Sequence, residues 1–232
     1  MPFFNIEDMT YQEVKEVRHQ IESRGLKLVC LTPEQCVYPV NLAAPSEAAR
    51  RRSLKFFEDN IRAASELGTD KMLITTGYGF FDESNHEEAW KWARDGIYDL
   101  AELAKIHGIT LALEVLRRDE SNLVYNLPTL SQMLDELKHD SVGGMIDTIP
   151  MALAGERPAD YLQALGDRLV HVHFIDGAPR GHLAWGDGIL DMQGYLEEFS
   201  RYHYKGYLSL EITDGRYYMD PTQSVRQSVN AL

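Results

Sequence analysis

One feature constrains the fold more than any other: short runs rich in Val, Ile and Leu alternate with longer amphipathic stretches. Such short runs read as strands buried on both faces, and the amphipathic stretches as helices that cover them. Candidate strands fall at 26–31 (LKLVCL), 71–76 (KMLITT), 110–116 (TLALEVL), 142–147 (VGGMID), 169–176 (LVHVHFID) and 207–213 (YLSLEIT). Helical periodicity marks 11–24, 45–67, 87–107, 127–137, 158–165 and 192–202, with a tail from Pro221. Gly25, Gly68 and Gly108 each stand between a helical pattern and a strand, where a left-handed C-cap closes a helix. This repetition admits a (β/α)8 barrel or an open doubly wound sheet, and no glycine-rich phosphate fingerprint follows any strand, which favours the barrel. The expected fold is therefore α/β, a TIM-barrel type repeat with about six strands visible. The sequence opens on a helical pattern, so the first βαβ unit of such a barrel is expected to be lacking. Residues 1–232 are expected to form a single domain, N-terminally incomplete, and a chain of this length is ordinary for one barrel.

Charge narrows the function. With 36 acidic against 23 basic residues the formal charge is −13, and a chain that binds nucleic acid needs a basic face to displace counterions from phosphates. No nucleic-acid partner is expected. No cationic and apolar leader and no run of 18 apolar residues occur, so no membrane span is expected and the location is read as cytoplasmic. Cys30 and Cys36 lie too close along one strand and turn to form a disulfide framework, and read as buried or incidental thiols.

In a barrel the C-terminal strand ends carry the chemistry. Four successive strands carry a metal-type ligand there: Glu114 in LALEVL, Asp147 in GGMIDT, His173 in VHVHFID and Glu211 in LSLEIT. A lone carboxylate inside an apolar strand loses hydration worth several kcal/mol unless it meets a cation or a donor. Four in register point to a metal site. Three carboxylates and an imidazole suit a divalent ion, Mn2+ first, with Co2+, Mg2+ or Zn2+ as other occupants. His171 shares a strand face with His173 and reads either as a support for the site or as a polar filler of the barrel. His182 stands in the loop ahead of WGDG, either within reach of a substrate or solvated. The segment from Arg117 through Arg118 and Glu120 to Asn122 is dense in hydrogen-bonding groups, as a polyol ligand requires, or else is an exposed charged loop.

At these residues the sequence resembles the sugar phosphate isomerase and epimerase superfamily with a xylose isomerase-like TIM barrel, and within it the ketose 3-epimerases. It looks nearest to the fructoselysine 3-epimerases, with the psicose and tagatose 3-epimerases more distant. The matching segments are LTPEQCVYPVNL at 31–42, RRRSLKFFEDNIRAASELG at 50–68, LEVLRRDESNLVYN at 113–126, MIDT at 145–148, LGDRLVHVHFID at 165–176, WGDG at 185–188 and YLSLEI at 207–212. The resemblance implies that Glu114, Asp147, His173 and Glu211 bind the metal and that Glu114 and Glu211 are also the acid/base pair. It places Glu120 near the ketose carbonyl; Arg118 and His182, read from the residues alone, are expected to be further substrate-binding residues. Pro150 stands where the simple-sugar epimerases carry a His three residues after the Asp ligand. The implied reaction is C3 epimerisation of a ketose by proton removal and return, and the implied partners are a small sugar and further copies of the chain, as a homodimer or homotetramer. Two alternatives remain open at this point: an aldose-ketose isomerase using the same residues, and a catalytically impaired sugar-binding or regulatory paralogue with an incomplete barrel. An endonuclease-like phosphodiesterase on the same fold would need a richer set of His ligands than the 8 His here supply, and an electropositive DNA surface.

Overall fold

The structure is a computed structural model that describes residues 5–35, 40–81 and 86–232. Cys36 lies outside the described residues. Among the described residues five strands form one parallel sheet in sequence order: β1 (Lys71–Ile74), β2 (Thr110–Glu114), β3 (Val142–Asp147), β4 (Leu169–His173) and β5 (Leu208–Ser209). The sheet is curled into a half-barrel. Its helices are α1 (Tyr11–Glu22), α2 (Glu47–Leu67), α3 (His86–His107), α4 (Leu127–Leu137), α5 (Thr148–Leu153), α6 (Pro158–Leu165), α7 (Met192–Arg201) and α8 (Pro221–Ala231).

Helix α2 shows how local sequence makes these elements. Ser46 caps its start by accepting from the Ala49 amide, and Gly68 ends it at φ 80°, a conformation in which only glycine avoids a Cβ penalty. Phe57, Ile61, Ala64 and Leu67 recur at three and four residues, so one stripe is buried against the sheet. The other two expected glycine caps, Gly25 and Gly108, also have positive φ.

Strand parity decides what faces inward. Leu111, Leu113, Ile146 and Val172 point outward into the helix-covered core, whereas Leu73, Ala112 and Met145 form a small second cluster inside the curl. Glu114, Asp147 and His173 share the inner parity, and the register pairs Glu114 with Met145, Asp147 with His173 and His173 with Ser209. A bulge at Gly144/Met145 adjusts β3 against β4. The Gly143–Gly144 pair permits it: a Cβ on Gly143 would lie 2.4 Å from Val170 Cγ1 and 2.7 Å from Arg168 O, and one on Gly144 would press Leu130 and Leu165.

The expectation of six strands is corrected at the first. Segment 26–31 contributes one bridge, Leu31 to Met72, held by Leu31 N–H to Lys71 O (3.0 Å) and Leu73 N–H to Leu31 O (2.9 Å). Beyond it the ladder passes to a side chain, because Gln35 donates to Leu73 O and accepts from Thr75 N–H. Most other strands stop short of their apolar runs, and 207–213 shortens to two residues. Among the described residues nothing pairs with the outer edge of β5 or of segment 26–31. A cavity of about 450 Å3 fills the gap between those edges, reaching from Leu28 and Ile21 to Glu114 and Glu211. Helix α5 was not expected, because a single turn reading TIPMAL has too few residues to show a helical period.

Gly143→Ala is expected to destabilise the fold by about 2 kcal/mol or more, since the new methyl meets backbone as well as side chain. Gly215→Ala, where a Cβ meets nothing within 4 Å, is expected to stay within about 0.5 kcal/mol. Urea denaturation of both variants reads the difference, and an equal midpoint would contradict this account of the bulge.

Candidate metal centre

Glu114, Asp147 and His173 end the adjacent strands β2, β3 and β4, and Glu211 lies two residues past the end of β5. Glu114, Asp147 and His173 are buried, at 5%, 3% and 3% exposure, and Glu211 is half-buried. One ligand atom from each of the four lies within 4.8 Å of every other. His173 Nδ1 stands 3.0 Å from Glu114 Oε1 and 3.1 Å from Glu211 Oε2. Despite those distances, His173 Nδ1 and Glu114 Oε1 are buried with no partner that meets hydrogen-bond geometry. Donor atoms gathered this closely on buried strand ends can converge on a common cation. The donor set, oxygen-rich with one imidazole, fits a divalent ion.

Electrostatics agree with the geometry. Burial raises Glu114 from an ordinary 4.5 to about 7, with His173 pulling the other way and Glu211 adding to the rise. Burial likewise raises Asp147 from 3.8 to about 7. For His173 burial opposes the charged form, but Glu211 and Glu114 outweigh it and lift the imidazole well above its usual value. Burial pushes Glu211 up too, yet His173 and His182 leave it below an ordinary glutamate. The two glutamates therefore hold opposite proton preferences across one imidazole.

His182 joins the cluster: its Nε2 is 3.6 Å from Asp147 Oδ2 and its Nδ1 is 3.3 Å from Glu211 Oε2. His171 packs edge-on against His173, with ring centroids 5.6 Å apart, and burial lowers it to about 4, so it stays neutral inside the curl. Glu120 turns to Arg117, accepting from its backbone amide and pairing with its guanidinium. Arg118 lies over the ring of Tyr125, 4.5 Å from the centroid. Cys30 lines the cavity that reaches Glu114, and burial raises its thiol to about 11.

Asp176 does more than its position at a strand terminus suggested. Its carboxylate accepts from the backbone amides of Gly177, Gly186, Gly188 and Leu190, gathering the loop on which His182 is carried. Gly188 has no room for a side chain, since a Cβ would meet Asp176 Oδ1 at 2.2 Å. Trp185 pins the same loop by donating its indole N–H to Phe174 O. The sequence signal was the pairing of HFID with WGDG, a carboxylate followed by glycines whose amides can wrap it.

A family model described as xylose isomerase-like TIM barrel matches residues 2–232. The chain belongs to this family. It is similar to fructoselysine 3-epimerase of Shigella flexneri, at 26% identity over 225 residues, covering 96% of this chain and 80% of that protein. D-psicose 3-epimerase of Enterocloster bolteae is 26% identical over 192 residues, covering 77% of this chain and 61% of that protein. Among solved structures, a 3-keto-D-glucoside 4-epimerase from E. coli superposes with a TM-score of 0.81 at 23% identity, covering 95% of this chain and 84% of that one, which speaks for the fold. These relatives are epimerases, enzymes of the isomerase class.

An ion entering this cluster displaces protons from Glu114 and Asp147, both held at about 7. Affinity for Mn2+ is therefore expected to rise about tenfold or more from pH 6 to pH 8 in titration calorimetry. The sign for stability follows from the same shifts. Both groups bind protons more readily folded than unfolded, so the stability they contribute is complete below about 4 and lost as pH rises through about 7. The gain in Tm on adding Mn2+ is thus expected to be larger at pH 8 than at pH 6. A gain independent of pH would place the ion elsewhere.

Proposed function

We propose that the chain is a divalent-metal-dependent sugar epimerase that inverts C3 of a ketose. The observation that carries the reading is the placement of Glu114 and Glu211 on either side of His173 Nδ1, brought there by β2 and by the segment after β5, which flank β3 and β4. Inverting a carbon next to a carbonyl requires a proton to leave one face and another to arrive on the opposite face. Two carboxylates that approach one point from opposite flanks meet that requirement.

Glu114, Asp147, His173 and Glu211 would hold the ion, which supplies Lewis-acid polarisation of the substrate carbonyl when bound. The positions of the two glutamates support a division of labour. Glu211, kept ionised by His173 and His182, is suited to remove the C3 proton. Glu114, on the other flank of the same point, would return a proton to the opposite face of C3. In the reverse direction the two exchange roles. His182, 3.6 Å from Asp147 and 3.3 Å from Glu211 on the loop tied by Asp176, would hold a substrate hydroxyl. Glu120, held by Arg117, has a fixed carboxylate to offer the substrate from the β2 side. The reading carries the relatives' ketose chemistry over to this chain, together with Mn2+ as resident ion, a homodimer or homotetramer, a cytoplasmic location and one barrel domain over residues 1–232.

Glu211→Gln is expected to abolish turnover, because an amide cannot accept the C3 proton, while far-UV circular dichroism stays near wild type. Retention of more than about a tenth of the wild-type rate would contradict its role as base. Exhaustive EDTA treatment is expected to remove activity and Mn2+ to restore it. The direct readout is exchange of the ketose C3 hydrogen with D2O, followed by NMR. An impaired, merely sugar-binding protein would bind ketose without that exchange.

A further inference from the structure

Two loops frame the mouth of the cluster. The first follows β2 and turns tightly at 117–120, where the Glu120 and Ser121 amides both donate to Arg117 O at 2.9 Å. The second follows β4 and is closed at its base by Asp176 and Leu183, whose backbones exchange hydrogen bonds of 3.1 and 2.8 Å. The Asp176 carboxylate ties Gly177 and the far arm at Gly186, Gly188 and Leu190, and leaves the tip at 178–182, which carries His182, outside that ring of amides.

Asp119, on the first turn, divides its carboxylate between the two loops. Its Oδ2 lies 3.1 Å from Arg180 Nη1 on the tip, and its Oδ1 lies 4.0 Å from Arg117 Nε on its own turn. Arg117 in turn pairs with Glu120. The row Glu120, Arg117, Asp119, Arg180 therefore alternates in sign and stops two residues short of His182. Because β2 and β4 flank β3 in the sheet, a tie between their loops spans the end of β3, where Asp147 stands. Folding stability does not account for this tie. Arg180 and Asp119 are 63% and 49% exposed, and an exposed ion pair shifts an equilibrium by about fivefold at most. A contact of that strength suits a tip that must close on a substrate and let go of the product in every cycle.

We propose that Asp119 is a positioning residue: through Arg180 and Arg117 it couples the tip that carries His182 to the turn that carries Glu120, so that the two close together over the end of β3. The inference deepens the reading of His182 and Glu120 as substrate contacts, and its consequence for binding rests on that reading.

Hydrogen exchange of the full chain in Mn2+, followed by mass spectrometry, tests the coupling without a substrate. Asp119→Ala is expected to speed exchange of amides 178–182 about two- to fivefold, and Arg180→Gln to speed that of 118–121 by a similar factor, because coupling is reciprocal. The double variant is expected to go no further than either single one. Raising NaCl from about 20 to about 500 mM is expected to reproduce the effect in the wild type and to add nothing in Asp119→Ala. Asp135→Ala, which breaks an exposed pair with Arg168 outside this row, is expected to change neither loop. Thermal melts check that every variant is folded. In calorimetry with D-psicose, Asp119→Ala is expected to weaken binding about two- to fivefold in the wild type and not at all in a His182→Ala background. Unchanged exchange in both loops, or losses of affinity that add in the Asp119→Ala/His182→Ala pair, overturns the proposal. Coupled exchange in a chain that turns over no ketose upholds the tie and overturns the epimerase reading instead.

Discussion

Three carboxylates and one imidazole, buried within 4.8 Å of one another, are the constraint on which the rest of this structure turns. Two like charges 4 Å apart repel by about 4 kcal/mol at an effective dielectric constant of 20, and burial adds the cost of lost hydration. The protein meets that cost in two visible ways when no cation is present. Glu114 and Asp147 take up protons more readily, and His173 is pressed toward its charged form by Glu114 and Glu211. A divalent ion at the centre would replace all of these adjustments at once, which is why the cluster is read as a metal centre and not as a stabilising network.

The fold serves this convergence. Parallel strands in sequence order bring consecutive C-terminal ends side by side, and the two-residue alternation of each strand turns one ligand from each toward the interior. The glycine pair in β3 lets the register shift so that Asp147 stands level with His173. Asp176 then ties the following loop into a ring of amide contacts, and so brings His182 over Asp147 and Glu211. The chemistry proposed for the two glutamates depends on these supports as much as on the glutamates themselves.

Much of this was legible in the sequence, and for a physical reason. A carboxylate or histidine inside an otherwise apolar strand is costly, so Glu114, Asp147, His173 and Glu211 stood out one strand at a time, and the structure brings those four together. The glycine caps were legible because their backbone conformation is nearly exclusive to glycine. What escaped notice depends on contacts between distant residues. Nothing in EQC announces that Gln35 would take over the ladder where segment 26–31 leaves it, which is why that segment was expected as a strand and, among the described residues, forms a single bridge. The engagement of Glu120 by Arg117 was equally hidden, since RRDE reads as an exposed charged loop until its backbone is placed. Asp176 was seen as a strand terminus and not as the anchor of a loop, because its partners are backbone amides, which every sequence carries.

The central claim is that these four side chains share one cation. Anomalous diffraction from crystals grown in Mn2+ tests it most directly. The account predicts a single strong peak bonded to Glu114, Asp147, His173 and Glu211, lost in Asp147→Asn. A fully ordered cluster with no peak at millimolar Mn2+, or a peak bound by other residues, would contradict it.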